Sequence, residues 1–115
     1  MAGAGQLRGR AHFQKREVVD DGAGNEVSGE FVTQFTAAVG FKAKLGGEEV
    51  MAARLDGIQP YVVTVYQSPQ SRLVDPEWRI VDARDPSRIF AITAIHDPDQ
   101  RGAMFEMLVK QGEPS

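Results

Sequence analysis

Few residues of this chain can do chemistry. Cysteine is absent and histidine occurs only at His12 and His96. Disulfides, thiolate metal sites and cysteine nucleophiles are therefore excluded. His12 lies in a stretch where Ala11 and Phe13 alternate with His12 and Gln14, so it falls on the polar parity of a strand, the place of an ordinary surface histidine. His96-Asp97-Pro98-Asp99 sets an imidazole beside two carboxylates, a donor set that could hold a cation. However, Asp-Pro and the following Arg101-Gly102 are hairpin material, and neither the spacing nor the terminal glutamate of a calcium loop follows. Gly3-Ala4-Gly5 and Gly22-Ala23-Gly24 each open the pattern of a dinucleotide loop, but Arg8 and Val27 stand where its third glycine is required. The adjacent Glu48 and Glu49 would diverge by about 100° on a helix and cannot act as a carboxylate dyad. No Walker sequence, nucleophile elbow or zincin motif is present. The expectation is a protein without catalytic residues, metal or cofactor.

Stacking chemistry is the other possibility. Tyr61, Tyr66 and Trp78 could form an aromatic platform for single-stranded nucleic acid, as in small OB-like barrels. Against this, Tyr61 shares a parity with Val63 and Val65, and Tyr66 with Val62 and Thr64, so at least one tyrosine belongs to the core. The charge balance also opposes it: 13 Lys and Arg against 16 Asp and Glu give a net charge of −3. An OB-like nucleic-acid-binding module stays as the alternative to a protein that works by assembly.

These residues must be positioned by a small scaffold. A chain of 115 residues suits one domain, and 42% apolar with 25% charged residues is the balance of a globular protein. No apolar run approaches the roughly 20 residues of a membrane span. Met1-Ala2-Gly3-Ala4-Gly5-Gln6 lacks an apolar core and is expected not to be a secretory signal. Residues 1–6 and 111–115 read as flexible tails of a single 1–115 domain.

Charge is distributed unevenly. The first sixteen residues hold Arg8, Arg10, Lys15 and Arg16 and no acid, whereas Glu17, Asp20, Asp21, Glu26 and Glu30 follow with no base among them. Between the two runs, Asp20-Asp21-Gly22-Ala23-Gly24-Asn25 is turn chemistry, so the region reads as strand, loop, strand. The clearest periodicity covers 30–45. There Phe31, Phe35, Ala37, Val39, Phe41, Ala43 and Leu45 share one parity, the period of a strand with one buried face. So long a strand calls for a bend or bulge, expected near Ala38-Val39-Gly40.

Gly46-Gly47 ends that strand. The segment 48–55 then reads as a helix of two turns, with Glu48 and Glu49 at its start, Arg54 near its end and Gly57 as a stop. Its apolar residues Val50, Met51 and Leu55 are expected either to plug an open end of the barrel or to meet a neighbouring molecule. Short strands resume at 61–66, 78–81, 89–95 and 103–109, separated by Pro-, Asp- and Gly-bearing turns. The fold class is mainly β: a small antiparallel barrel or sandwich of about six strands, with one short helix and long loops.

The order of these features resembles the head–tail joining family of tailed bacteriophages (head-closure, stopper or adaptor proteins), which also occurs in prophages and gene transfer agents. The resemblance rests on Leu7-Arg8-Gly9-Arg10-Ala11-His12-Phe13-Gln14-Lys15, the acidic glycine loop after it, and Phe41-Lys42-Ala43-Lys44-Leu45-Gly46-Gly47-Glu48-Glu49. It also rests on the strands at Trp78-Arg79-Ile80 and Ile89-Phe90-Ala91-Ile92-Thr93-Ala94-Ile95-His96-Asp97. It implies a small barrel in a six- or twelve-fold ring at the particle's neck, below portal and adaptor proteins, where it helps retain DNA and docks the tail. DNA would pass through the lumen without sequence-specific binding. The implied setting is the virion, with the host bacterial cytoplasm during assembly. Function would then lie in charged and flexible surface, for which the candidate contact residues are Arg8, Arg10, Asp20, Asp21, Gly22, Gly24, Glu48, Glu49, Met51 and Arg54.

The charge balance generates a direct test. The purified protein is expected to bind duplex or single-stranded DNA only weakly at physiological salt, as read by fluorescence anisotropy. Sub-micromolar affinity with a steep salt dependence would favour the nucleic-acid module instead.

Overall fold

Each alternating stretch forms a strand, and the strands close on one another. In the computed structural model, which describes residues 7–20, 22–44, 47, 51, 55, 57–98, 100 and 102–111, the elements are β1 (Gly9–Asp20), β2 (Glu26–Ala43), β3 (Gln59–Tyr66), β4 (Arg79–Asp82), β5 (Ile89–His96) and β6 (Met104–Gln111). A 3-10 turn, Ser71–Leu73, precedes β4. All pairings are antiparallel, and the order β1-β2-β3-β6-β5-β4 closes into a barrel through the β1–β4 pair. Closure leaves the barrel wall without an edge, the usual solution for a small all-β protein. The expected mainly β barrel is therefore the observed fold. β6 continues through Gln111, which pairs with Gln59 and Phe90 rather than joining a tail.

The interior is filled by one parity from each strand. Ala11 and Phe13 from β1, Phe35 and Val39 from β2, Val63 and Val65 from β3, Ile80, Phe90 and Ile92 from β4 and β5, and Met107 and Val109 from β6 form the core with Trp78 and Val74. Phe13 and Phe35 lie directly opposite each other and stack at 4.6 Å, with Trp78 tilted against Phe35 at 6.3 Å. Near the other end, Phe41 stacks on Phe90 at 5.2 Å and Tyr61 meets the same ring edge-on at 5.3 Å. Burying a ring of this size stabilises by about 1.5–3 kcal/mol relative to leaving it exposed.

β2 departs from the sequence expectation in one informative way. Its pairing is regular through Ala38, Val39 and Gly40. The irregularities lie earlier: Phe13 pairs with Phe35 but Gln14 pairs with Thr33, so Gln34 is an extra residue, and a second shift falls between Arg16 and Val18. A one-residue slip exchanges the faces of everything beyond it. Phe31 and Thr33 thus leave the parity of Phe35 and lie on the outer face, where Gln14 Nε2 donates to Thr33 Oγ1 at 3.0 Å. The bend sits where β1 outruns β4, because β4 pairs only with residues 11–14 of β1.

The 48–55 helix falls largely outside the described residues. Met51 and Leu55 are helical, and the Met51 N–H donates to the Gly47 carbonyl at 3.1 Å. Both side chains are exposed, by 63% and 86%, so neither plugs the barrel. That end is occupied by other groups: the Arg88 guanidinium lies 5.1–5.6 Å from the ring centres of Phe41, Tyr61 and Phe90. Arg88 Nη1 also reaches Asp82 Oδ2 at 2.7 Å, while Asp82 Oδ1 accepts the Arg84 N–H at 2.9 Å. Asp82 is buried, and these contacts supply the partners that a buried carboxylate needs.

Gly9 is where this packing is tightest. A Cβ built on it would lie 2.9 Å from Phe41 Cε2 and 3.1 Å from the Val39 carbonyl oxygen. The ring is held between Phe90 and Arg88, so it cannot retreat freely. Gly9→Ala is expected to cost about 1–3 kcal/mol, the range for overpacking a filled site, measured by urea denaturation. A wild-type midpoint would show that Phe41 is loosely held.

Candidate assembly surface

The long hairpin β1–β2 does not stop at the barrel wall. Beyond Gln14 no strand pairs with the other edge of β1, and before Val39 none pairs with the outer edge of β2, among the described residues. Residues 15–20 and 26–33 consequently form a two-stranded arm. At its tip Asp20 Oδ1 accepts N–H bonds from Gly22 at 2.9 Å and Gly24 at 3.3 Å. Both glycines have positive φ, 88° and 86°, which explains their use in this turn. Glu17, Asp20, Glu26 and Glu30 are all exposed on the arm, making it acidic. It also exposes Val18, Val19, Val27 and Val32, at 38–64%. Val19 and Val27 are direct cross-strand partners and so share one face.

A cationic brace stiffens the base of the arm. Phe31, turned outward by the extra residue Gln34, has the Arg79 guanidinium 4.2 Å from its ring centre and that of Arg16 at 4.4 Å. Arg79 Nε donates to Gln14 Oε1 at 2.7 Å, and Arg16 Nη1 donates to the Gly29 carbonyl at 3.0 Å. Burial, and then the neighbouring charge of Arg16, hold the Arg79 pKa below the usual guanidinium value. The ring's negative face offsets part of that repulsion. Thus β4 is tied to both strands of the arm.

The opposite end of the hairpin is basic. Arg8, Arg84 and Arg88 line an open hollow with Gly9, Gly40, Phe41 and Asp82. Arg10 pairs with Ala38 on the adjoining outer wall, with Lys42 further along β2 and Lys44 just past its end. Beside the hollow, Ser87 donates its hydroxyl and its N–H to Asp85 Oδ1, which keeps that exposed carboxyl below the usual carboxylate range.

The ten sequence-derived contact residues are thus distributed rather than gathered. Asp20, Gly22 and Gly24 are at the arm tip, Arg8 and Arg10 are at the basic end, and Met51 is an exposed residue of the β2–β3 connection. Asp21, Glu48, Glu49 and Arg54 lie outside the described residues. Phe31, Arg79, Arg84 and Lys42 were missed by sequence reasoning. Arg84 could have been found from its place beside the Asp85-Pro86-Ser87 turn, whereas Phe31 was concealed because the bulge was expected near Ala38-Val39-Gly40 and falls at Gln34. The aromatic platform is not available: Trp78 is buried, Tyr61 packs against the core, and only Tyr66 of the three is exposed. No group of three or more metal-ligating side chains occurs among the described residues, and His96 Nε2 faces Glu106 Oε1 at 3.3 Å.

With this geometry in hand, the comparisons with known proteins are decisive. A family profile described as phage head completion protein matches residues 3–112. The chain belongs to the phage head completion protein family. This is a structural family rather than an enzymatic one. Its fold resembles a chain from the "Virion of native gene transfer agent (GTA) particle", with a TM-score of 0.61 and 21% identity over 89% of this chain and 91% of that one. It also resembles protein SF1141 from Shigella flexneri 2a in solution, with a TM-score of 0.70 and 17% identity over 99% of this chain and 100% of that one. No curated protein sequence matches the chain significantly.

In this head completion protein the cationic brace is expected to stiffen the arm. Phe31→Leu keeps an apolar side chain but removes the ring face. Two partly exposed cation–π contacts would be lost, together about 1–2 kcal/mol. Amide exchange at residues 16–19 and 27–31 is expected to accelerate while the Phe13 and Phe90 amides stay protected. Unchanged exchange in the arm would show that its stiffness comes from the backbone ladder alone.

Proposed function

We propose that this single connector domain assembles as a ring at the neck of a phage or phage-like particle, below portal and adaptor proteins. There it helps keep packaged DNA in the head and presents a docking surface to the tail. One observation carries the reading beyond family membership: an arm of two strands stands outside the barrel with exposed valines and four carboxylates. A lone two-stranded hairpin is marginal in water, and apolar residues exposed in this way suit a surface covered by another molecule.

The contact residues of this reading are Arg8, Arg10, Asp20, Asp21, Gly22, Gly24, Glu48, Glu49, Met51 and Arg54. Exposure of Met51 and Leu55 supports the β2–β3 connection as contact surface, since a methionine side chain adapts to an irregular partner. A net charge of −3 suits a lumen through which DNA passes without adhering. The protein would act in the assembled virion, having been built in the cytoplasm of the bacterial host.

Truncation of the arm tests this. Replacing residues 17–29 with Asn-Gly removes surface but none of the core residues. The variant is expected to melt within a few degrees of the wild type, since none of the described residues it loses is buried. In particles lacking the native protein it should fail to complete heads, leaving DNA released and tails unattached by electron microscopy. Heads completed at the normal frequency by the truncated chain would refute a role for the arm.

A further inference from the structure

The two ends of the β1–β2 hairpin carry opposite charge. At one end are Glu17, Asp20, Glu26 and Glu30, and at the other Arg8, Arg10, Lys42 and Arg84, all exposed. At about 3.3 Å per residue, the 12 residues of β1 hold these ends roughly 40 Å apart, so the arm tip cannot reach the basic end of its own barrel. Beside the hollow, the outer wall of the basic end carries small side chains. Ala38 lies opposite Arg10, and Gly40 follows on the same parity, so small residues form a floor between the cations. An approaching strand could come close to the backbone there, with carboxylates reaching the rim.

Building on the ring reading, we propose that the acidic arm tip of one chain docks on the basic end of a second copy of this chain, over Ala38 and Gly40 and between Arg8, Arg10, Lys42 and Arg84. Complementarity selects this pairing. Tip against tip would oppose like carboxylates, and base against base would oppose like cations. The contact uses different surfaces on the two partners. Exchanged reciprocally it would close a two-fold dimer, whereas repeated head to tail it closes a ring or extends a filament, and the ring reading selects the second. The valines contribute what charge alone does not: Val19 and Val27, on one face, gain cover as the arm lies on the neighbouring wall.

The absence of cysteine allows a direct test on the full-length chain. Ala23→Cys marks the exposed tip and Ala38→Cys the exposed floor, neither altering charge. Mixing the two single-cysteine proteins with a short bis-maleimide at low salt is expected to give a cross-linked dimer at least tenfold above either protein alone. Asp20→Lys with Glu26→Lys in the tip-marked chain should reduce it about tenfold. Arg10→Glu with Arg84→Glu in the floor-marked chain should then restore it.

Tip-to-tip products, insensitivity to charge reversal, or no cross-link at all would each overturn the contact. Retention of duplex DNA by the basic end without any cross-link would assign that end to phosphate and overturn it likewise. The ring reading is measured separately, by the copy number of the chain in completed particles. Several copies without the tip-to-floor cross-link would refute this contact and leave the ring standing, whereas one copy per particle would refute both.

Discussion

The brevity of β4 governs the shape of this protein. Four residues, Arg79–Asp82, must close a barrel whose other strands are at least twice as long. They do so by pairing with residues 11–14 of β1 on one side and with residues 89–91 of β5 on the other. Beyond Gln14, where β4 pairing ends, and before Val39, where β3 pairing begins, β1 and β2 have only each other, and the sheet narrows from a closed wall to a ribbon. The extra residue Gln34 sits at that transition, as expected where a strand bends away from the sheet that has guided it. The arm therefore begins where the pairing of both flanking strands, β4 on one edge and β3 on the other, has run out.

The ends of the barrel are finished by arginine rather than by more apolar packing. Arg88 covers the rings of Phe41, Tyr61 and Phe90 and neutralises the buried Asp82, while Arg79 covers Phe31 and holds Gln14. A guanidinium can lie flat against a ring while its edge donates hydrogen bonds, which an ammonium cannot do equally well. Arg79 is the first residue of β4 and Arg88 lies in the connection to β5, so both groups sit beside the strand that closes the wall.

Much of this was legible from alternation alone. Val63 and Val65, Phe90 and Ile92, and Met107 and Val109 follow the period of two without interruption, and each pair is buried in the core. Phe31 was not legible. It shares the parity of Phe35 in the sequence, and the inserted Gln34 that separates their faces has no composition of its own to betray it. The length of the arm was hidden for a related reason. A strand that has left the barrel keeps its β-forming valines, and nothing local records that its neighbour has ended. Charge placement was half visible: the basic and acidic runs were plain along β1 and β2, but Arg84 joins Arg8 only through the β1–β4 closure.

The arm's open ladder edges carry a hazard as well as a use. Unpaired N–H and C=O groups beside exposed valines are a template on which any extended chain can add a strand. Lys15, Arg16, Glu17, Asp20, Glu26 and Glu30 stand along that edge as gatekeepers, because stacking the same strand on itself would bring like charges together. In the proposed contact these charges matter twice over, once for where a neighbour docks and once for what the free subunit must not do. The charges proposed to guide assembly are thus also the ones that oppose strand-on-strand stacking of the free subunit.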